Sequence, residues 1–215
     1  LVFRYRLLKD VGNALKVELK VFEKGELIQN KIYKINNSSA YMFLSHNIAY
    51  DINQFMGEPP VEWIRKKVIF SRMVSSKKSE IVISDYSLSY QHVIVKNGFN
   101  TFPKWANKEQ SGFYYTSMDE RKPTLKYVNI QTAKIKNIKS SDGMMVCSDV
   151  SQDGTKLLLT MAPDGQPDVY EFDTMTGESK RVTKYSGIDV NGQFLGNDKI
   201  VFVSDRLGYP NVFEQ

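Results

Sequence analysis

The spacing of apolar residues changes once in the opening third of the chain. In ALKVELKVFEKG (14–25), Leu15, Val17, Leu19 and Val21 alternate with Lys16, Glu18 and Lys20. That period of two predicts an antiparallel strand with one face buried and one face wet. LVFRYRLLKD (1–10) and ELIQNKIYKINN (26–37) read as its partners, and segments 9–13 and 23–26 hold the Asp, Asn and Gly residues that allow tight reversals. The period then lengthens: Leu44, Ile48, Ile52 and Phe55 or Met56 recur at helical spacing. Asn36-Asn37-Ser38-Ser39 offers side chains for an N-cap, Gly57 suits the position past the last turn, and Pro59-Pro60 cannot continue a helix. Three strands under one helix predict an α+β layer over residues 1–66, its opening elements expected before Leu1.

From Lys67 the chain repeats itself. PTLKYVN (123–129), PDVYEFD (167–173) and PNVFEQ (210–215) begin 44 and then 43 residues apart, and 44 residues before Pro123 stands Ser79 of SEIVISD. Ile94, Ile138 and Val182 keep the same 44-residue step. KVIFSRM (67–73), GFYYTSM (112–118), KLLLTMA (156–162) and KIVFVSD (199–205) form a third register, and FPKWAN (102–107), VCSDVSQDG (146–154) and NGQFLGND (191–198) a fourth. Four short strands in about 44 residues are the sequence form of a β-propeller blade. Runs such as Leu157-Leu158-Leu159 and Ile200-Val201-Phe202-Val203 fit strands buried on both faces between neighbouring blades. Asp153-Gly154, Asp164-Gly165 and Thr176-Gly177 supply the turns. Residues 67–215 therefore predict a mainly β, incomplete WD40-like propeller: a first blade without its innermost strand, two whole blades, and a fourth that stops at its third strand.

Composition narrows the chemistry. The 215 residues hold 29 Lys and Arg against 24 Asp and Glu, a net charge of +5 and a pI near 9.1. The excess is dispersed and no nucleic-acid module accompanies it, so no nucleic-acid partner is expected. The longest uninterrupted apolar run, Ala40 to Leu44, is far too short to span a membrane, so no direct membrane insertion is expected. The chain begins at Leu1 within a strand-like run and reads as a piece of a longer precursor. A single cysteine, Cys147, excludes an internal disulfide framework or a multi-Cys zinc site, and His46 and His92 leave little for histidine chemistry. His46 reads as a packed or solvent-edge side chain, because no second ligand stands at the next helical turn. Asp149, Asp153, Asp164 and Asp173 read as turn chemistry, without the spacing of a calcium loop. A nucleophile elbow G-x-S-x-G is absent and no histidine follows His92. Phe102 and Trp105 are expected in the core between blades.

VSQDGTKLLLTMAPDGQPDVYEFDTMTGESKRVT (150–183) resembles the repeat of the TolB family of propeller proteins. Ser151-Gln152-Asp153-Gly154 matches its SPDG-type turn with Gln for Pro, Asp168-Val169-Tyr170 its third strand, and Thr176-Gly177 with Arg181-Val182-Thr183 its last. Phe102-Pro103-Lys104-Trp105 resembles the Pro-Ala-Trp lead into a blade, although Asn107-Lys108-Glu109-Gln110 and Leu195-Gly196-Asn197-Asp198 replace two further turns. The resemblance covers the whole chain, including the α/β remnant ending in Met56-Gly57-Glu58. It implies a periplasmic, non-enzymatic member of the Tol-Pal cell-envelope system that serves outer-membrane integrity and constriction in cell division. It implies the peptidoglycan-associated lipoprotein as a partner at the mouth of the propeller, with TolA and other envelope proteins as partners through the N-terminal domain. No cofactor or metal is implied. Carried onto the loops that lead into the blades, it implies partner contacts at Met144, Met145, Asp189, Val190 and Asn191. Met144-Met145 is adaptable apolar surface if exposed, while Met145 and Cys147 suit the packing of an inner strand equally well. The alternative is an accessory propeller of a prolyl-oligopeptidase-like or tricorn-like peptidase.

Overall fold

The computed structural model describes residues 1–8, 11–196 and 198–215. The chain divides into two compact units, residues 1–68 with 83–92 and residues 69–82 with 93–215. In the first, β1 (Val2–Leu8), β2 (Leu15–Glu23) and β3 (Glu26–Ile35) form an antiparallel sheet in chain order. Lys24 and Gly25, at φ 50° and 91°, supply the paired left-handed residues that a two-residue hairpin between β2 and β3 needs. Lys9 and Asp10 of the other expected reversal lie outside the described residues. The register sets Tyr5, Leu19 and Lys31 across one face, and Arg6, Glu18 and Ile32 across the other.

Helix α1 (Tyr41–Met56) covers the first of these faces, where Val17, Leu19, Val21, Tyr33 and Leu44 are buried against Ile48, Ile52 and Phe55. Asn37 caps the short turn ahead of α1, its Oδ1 accepting the Ser39 N–H at 3.0 Å, and Gly57 at φ 71° ends the helix. His46 is buried on α1 beside the Tyr86 ring (centroids 4.6 Å apart), with Nε2 3.9 Å from Asp85 Oδ2. Burial opposes ionisation of Asp85, but hydrogen bonds from Ser87 and the Tyr90 N–H outweigh it and hold the carboxyl below its ordinary range.

Four meanders follow. β4 (Lys67–Ser75), β5 (Lys78–Asp85) and β6 (Gln91–Val95) make a three-stranded sheet. β7 (Asn100–Trp105), β8 (Gly112–Ser117), β9 (Thr124–Asn129) and β10 (Ile135–Ser140) make a four-stranded one. β11 (Met145–Val150), β12 (Lys156–Met161), β13 (Asp168–Asp173) and β14 (Ser179–Arg181) repeat it. β15 (Asp189–Leu195), β16 (Lys199–Ser204) and β17 (Asn211–Glu214) repeat its first three strands. These are the blades of an unclosed propeller, in the strand order the repeat predicts.

Burial on both sides explains the continuous apolar runs. On β12, Leu157 and Leu159 join Tyr114, Leu125, Met145 and Cys147, whereas Leu158 faces Val169, Ile200 and Phe202 of the opposite cluster. Polar staples fix the blades in register. Thr116 Oγ1 donates to the Met145 carbonyl at 2.6 Å, and the equivalent Thr160 Oγ1 accepts the Asn191 N–H at 3.1 Å. Asp149 lies in β11 beside the turn that follows Val150, as expected, but its carboxylate serves the stack of blades and not that turn. Its Oδ1 pairs with Lys104 Nζ at 2.9 Å and its Oδ2 accepts the Phe194 N–H at 3.0 Å, lacing three innermost strands together.

Phe102 also departs from expectation. A bulge between Thr101 and Lys104 places it at φ 52° and turns its side chain out of the core, 53% exposed. Trp105, past the bulge, is half-buried edge-to-face with Phe113, centroids 6.2 Å apart.

Candidate docking rim

Antiparallel register gathers one set of loops at one end of the blades. Asn100, Ser117 and Thr124 align across β7, β8 and β9; Met145, Met161 and Asp168 across β11, β12 and β13; Asp189, Ser204 and Asn211 across β15, β16 and β17. The loops leading into β7, β11 and β15 thus share a rim with the hairpin loops after β8, β12 and β16. The grooves lined by Lys156, Glu171 and Lys199 and by Tyr127, Lys136 and Thr176 open at the opposite ends of these strands.

Each lead-in loop is clamped twice. Gly98, Gly143 and Gly187 lie so close to the following hairpin loop that a Cβ would fall 1.7 Å from Asp119 Oδ2, 2.6 Å from the Ala162 carbonyl and 2.2 Å from Asp205 Oδ1 respectively. The same aspartates take the next backbone donor: Phe99 N–H at 2.8 Å from Asp119 Oδ2 and Ile188 N–H at 2.8 Å from Asp205 Oδ1. The second clamp comes from the preceding blade. Ser79 N–H donates to the Gly98 carbonyl at 2.9 Å, Ser141 N–H to the Pro123 carbonyl at 3.3 Å, and Asp189 N–H to the Pro167 carbonyl at 3.0 Å. Lys122 Nζ to Asp142 Oδ2 at 2.7 Å bridges the second and third blades, and Gln166 Nε2 donates to the Gly187 carbonyl across the third and fourth.

The residues expected to contact a partner separate into two layers. Met144 is 44% exposed as the last loop residue before β11, and Asn191 is exposed at φ 61° on the bulge of β15, between Val190 and Gln193. Val190 is half-buried. Met145 lies in the core between blades with Cys147, whose thiol burial pushes up to about 12. Asp189 is 0% exposed; Arg206 Nη2 donates to its Oδ1 at 3.1 Å and its Oδ2 at 2.9 Å, while the guanidinium lies 4.8 Å from the centre of the Phe213 ring. One blade earlier, buried Asp168 accepts from Arg181 on Oδ2 and from the Thr183 hydroxyl on Oδ1. Met145 and Asp189 support the rim from beneath, and Met144 and Asn191 face solvent.

Sequence reasoning did not single out the other exposed apolar residues of this rim: Met118, Leu207 and Tyr209, and Ile188 within its third lead-in loop. The rim glycines recur at the repeat period, and that spacing was a signal available to find the clamps. Among the described residues no group of three or more His, Cys, Asp and Glu side chains stands where it would hold a metal ion. The rim offers rigid backbone and isolated apolar side chains among polar ones, a surface suited to recognising another protein.

The family described as TolB beta propeller domain matches residues 62–215. The chain belongs to this TolB family. The Tol-Pal system protein TolB of Campylobacter jejuni (strain RM1221) is 50% identical over 215 residues, which is 99% of this chain and 53% of that protein. The TolB of Wolinella succinogenes is 44% identical over 206 residues, 94% of this chain and 49% of that protein. The chain thus spans about half the length of the curated TolB relatives it matches. The crystal structure of TolB from Acinetobacter baumannii superposes with a TM-score of 0.80 at 20% identity, covering 99% of this chain and 54% of that one, and shows the same fold.

Proposed function

We propose that this chain is part of a periplasmic, non-enzymatic TolB-type protein of the Tol-Pal system, and that its rim docks the peptidoglycan-associated lipoprotein. Through that contact it would support outer-membrane integrity and constriction during division. Residues 1–66 would be the end of an N-terminal domain that meets TolA and other envelope proteins. The observation that carries the reading is the doubly clamped rim of exposed Met144, Ile188 and Asn191 over buried ion pairs, joined to membership of the TolB family. A surface held in one conformation loses little freedom on binding, which favours a specific protein partner. Among the described residues no helix is long and apolar enough to cross a membrane.

The test uses the full-length gene product and the purified lipoprotein. Met144→Glu and Ile188→Glu, with Asn191→Gly to keep its backbone angle, are expected to weaken capture at least about ten-fold with an unchanged melting temperature. Asp189 is unsuitable as a contact probe because removing it unpairs Arg206. Undiminished capture by all three variants would remove the rim as the docking site. Peptide hydrolysis by the same preparation would overturn the non-enzymatic assignment.

A further inference from the structure

The face of the first sheet opposite α1 has a strongly basic composition. Cross-strand register places four rows on it: Val2, Phe22 and Leu27; Arg4, Lys20 and Asn30; Arg6, Glu18 and Ile32; Leu8, Lys16 and Lys34. Five cations, Arg4, Arg6, Lys16, Lys20 and Lys34, therefore share this face with one carboxylate, Glu18. Glu18 is already engaged, with Arg6 Nη2 at 3.1 Å, Lys20 Nζ at 3.4 Å and Asn30 Nδ2 at 3.1 Å. Like charges stand directly opposite one another at Arg4 and Lys20 and again at Lys16 and Lys34, an arrangement unfavourable for the sheet by itself. Aliphatic side chains are exposed among them: Val2, Leu27 and Ile32 are each about half accessible. The Arg4 guanidinium lies 5.0 Å from the centre of the Phe22 ring.

We propose that this basic sheet face docks peripherally on an anionic phospholipid bilayer surface. The cations are spread over all three strands as a grid, with about 5 Å between strands and about 7 Å between rows on one face. A single acidic peptide would follow one strand edge and reach only part of that grid, whereas an array of headgroup phosphates complements all of it. The exposed Val2, Leu27 and Ile32 add the apolar component that lets a basic surface enter the headgroup region. Binding of this kind needs no spanning element, strengthens with the number of cations at the surface, and weakens with salt as the screening length falls from about 10 Å near 0.1 M to about 3 Å near 1 M.

Sedimentation of the full-length gene product with vesicles tests this. Vesicles of phosphatidylcholine containing phosphatidylglycerol are expected to retain the protein, and vesicles of phosphatidylcholine alone are not. The double variant Arg4→Glu/Lys20→Glu is expected to lose about ten-fold or more in affinity. Lys16→Glu/Lys34→Glu at the other end of the face gives a second chance should the first pair unfold the sheet, and circular dichroism verifies both. Lys136→Glu/Lys180→Glu, exposed on the propeller, makes the same change in net charge and is expected to leave vesicle binding intact. Equal retention by neutral and anionic vesicles would overturn the proposal. So would an equal loss in the Lys136/Lys180 control, which would reduce the effect to net charge. Retention of immobilised polyglutamate without any vesicle binding would also overturn it, and would make the occupant an acidic polypeptide. Loss of lipoprotein capture by the rim variants leaves this measurement untouched, so the two readings fail separately.

Discussion

The β2 strand of the first sheet and the β12 strand of the third blade have similar hydrophobic content and opposite neighbourhoods. Along β2, Leu19 and Val21 are buried under α1 while Lys20 between them meets solvent and Glu18. Along β12, Leu157, Leu158 and Leu159 are all fully buried, because one blade packs on each face. A strand's hydrophobic period thus reports how many of its faces are covered. In β2 it reports one layer and in β12 a stack.

The largest expected effects separate the two ways each region handles a buried charge. Asp189→Ala leaves Arg206 without its partner beneath the rim and should cost about 3–5 kcal/mol in denaturant unfolding. Glu18→Ala, on the wet face where Arg6 and Lys20 can turn to water, should cost distinctly less. Equal losses would mean that Asp189 is better hydrated than its burial implies. Next comes an alanine scan along both strands. Leu157, Leu158 and Leu159 should each cost about 2–5 kcal/mol, a plateau. Across β2 the profile should oscillate, large at Leu19 and below about 1 kcal/mol at Lys20. A dip at Leu158 would break the two-sided picture of the blade.

Glycines give a smaller contrast. Gly143→Ala brings a Cβ within 2.6 Å of a backbone carbonyl at φ 70°, and should cost about 1–3 kcal/mol. Gly25→Ala in the β2–β3 hairpin meets nothing within 4 Å and should cost about 1 kcal/mol, the left-handed conformation alone. The smallest effect concerns pH. Cys147 ionises in the unfolded chain near about pH 8.5 but in the fold only near about 12, so its contribution is complete below the first value and lost as pH rises toward the second. Thiol labelling at mildly alkaline pH should accordingly track unfolding. Rapid labelling of the native protein would contradict the burial.

The elements were legible because their causes are local or periodic. Alternation around Leu19, the helical return of Leu44, Ile48 and Ile52, and the 44-residue echo of Pro-led strands each require only the chain itself. The rim's two layers were not legible in the same way. Asp189, Val190 and Asn191 are adjacent in sequence, yet the first is buried and the third exposed, because the bulge in β15 reverses the outward alternation. Nothing in the residue type announced Phe102 at a positive φ, since the bulge that sets it there depends on pairing with β8. Asp149 looked like a turn residue for the opposite reason. Its partners, Lys104 and the Phe194 N–H, lie on two other blades, and only the stacking of blades brings them together.

The clamp that ties each lead-in loop to the blade before it gives the array a direction, like overlapping roof tiles. Ser79 holds the loop at Gly98, Pro123 the loop at Ser141, and Pro167 the loop at Asp189. Each such bond is shared by the two blades it joins, so loss of one clamp should loosen both of them and leave blades farther along the array seated.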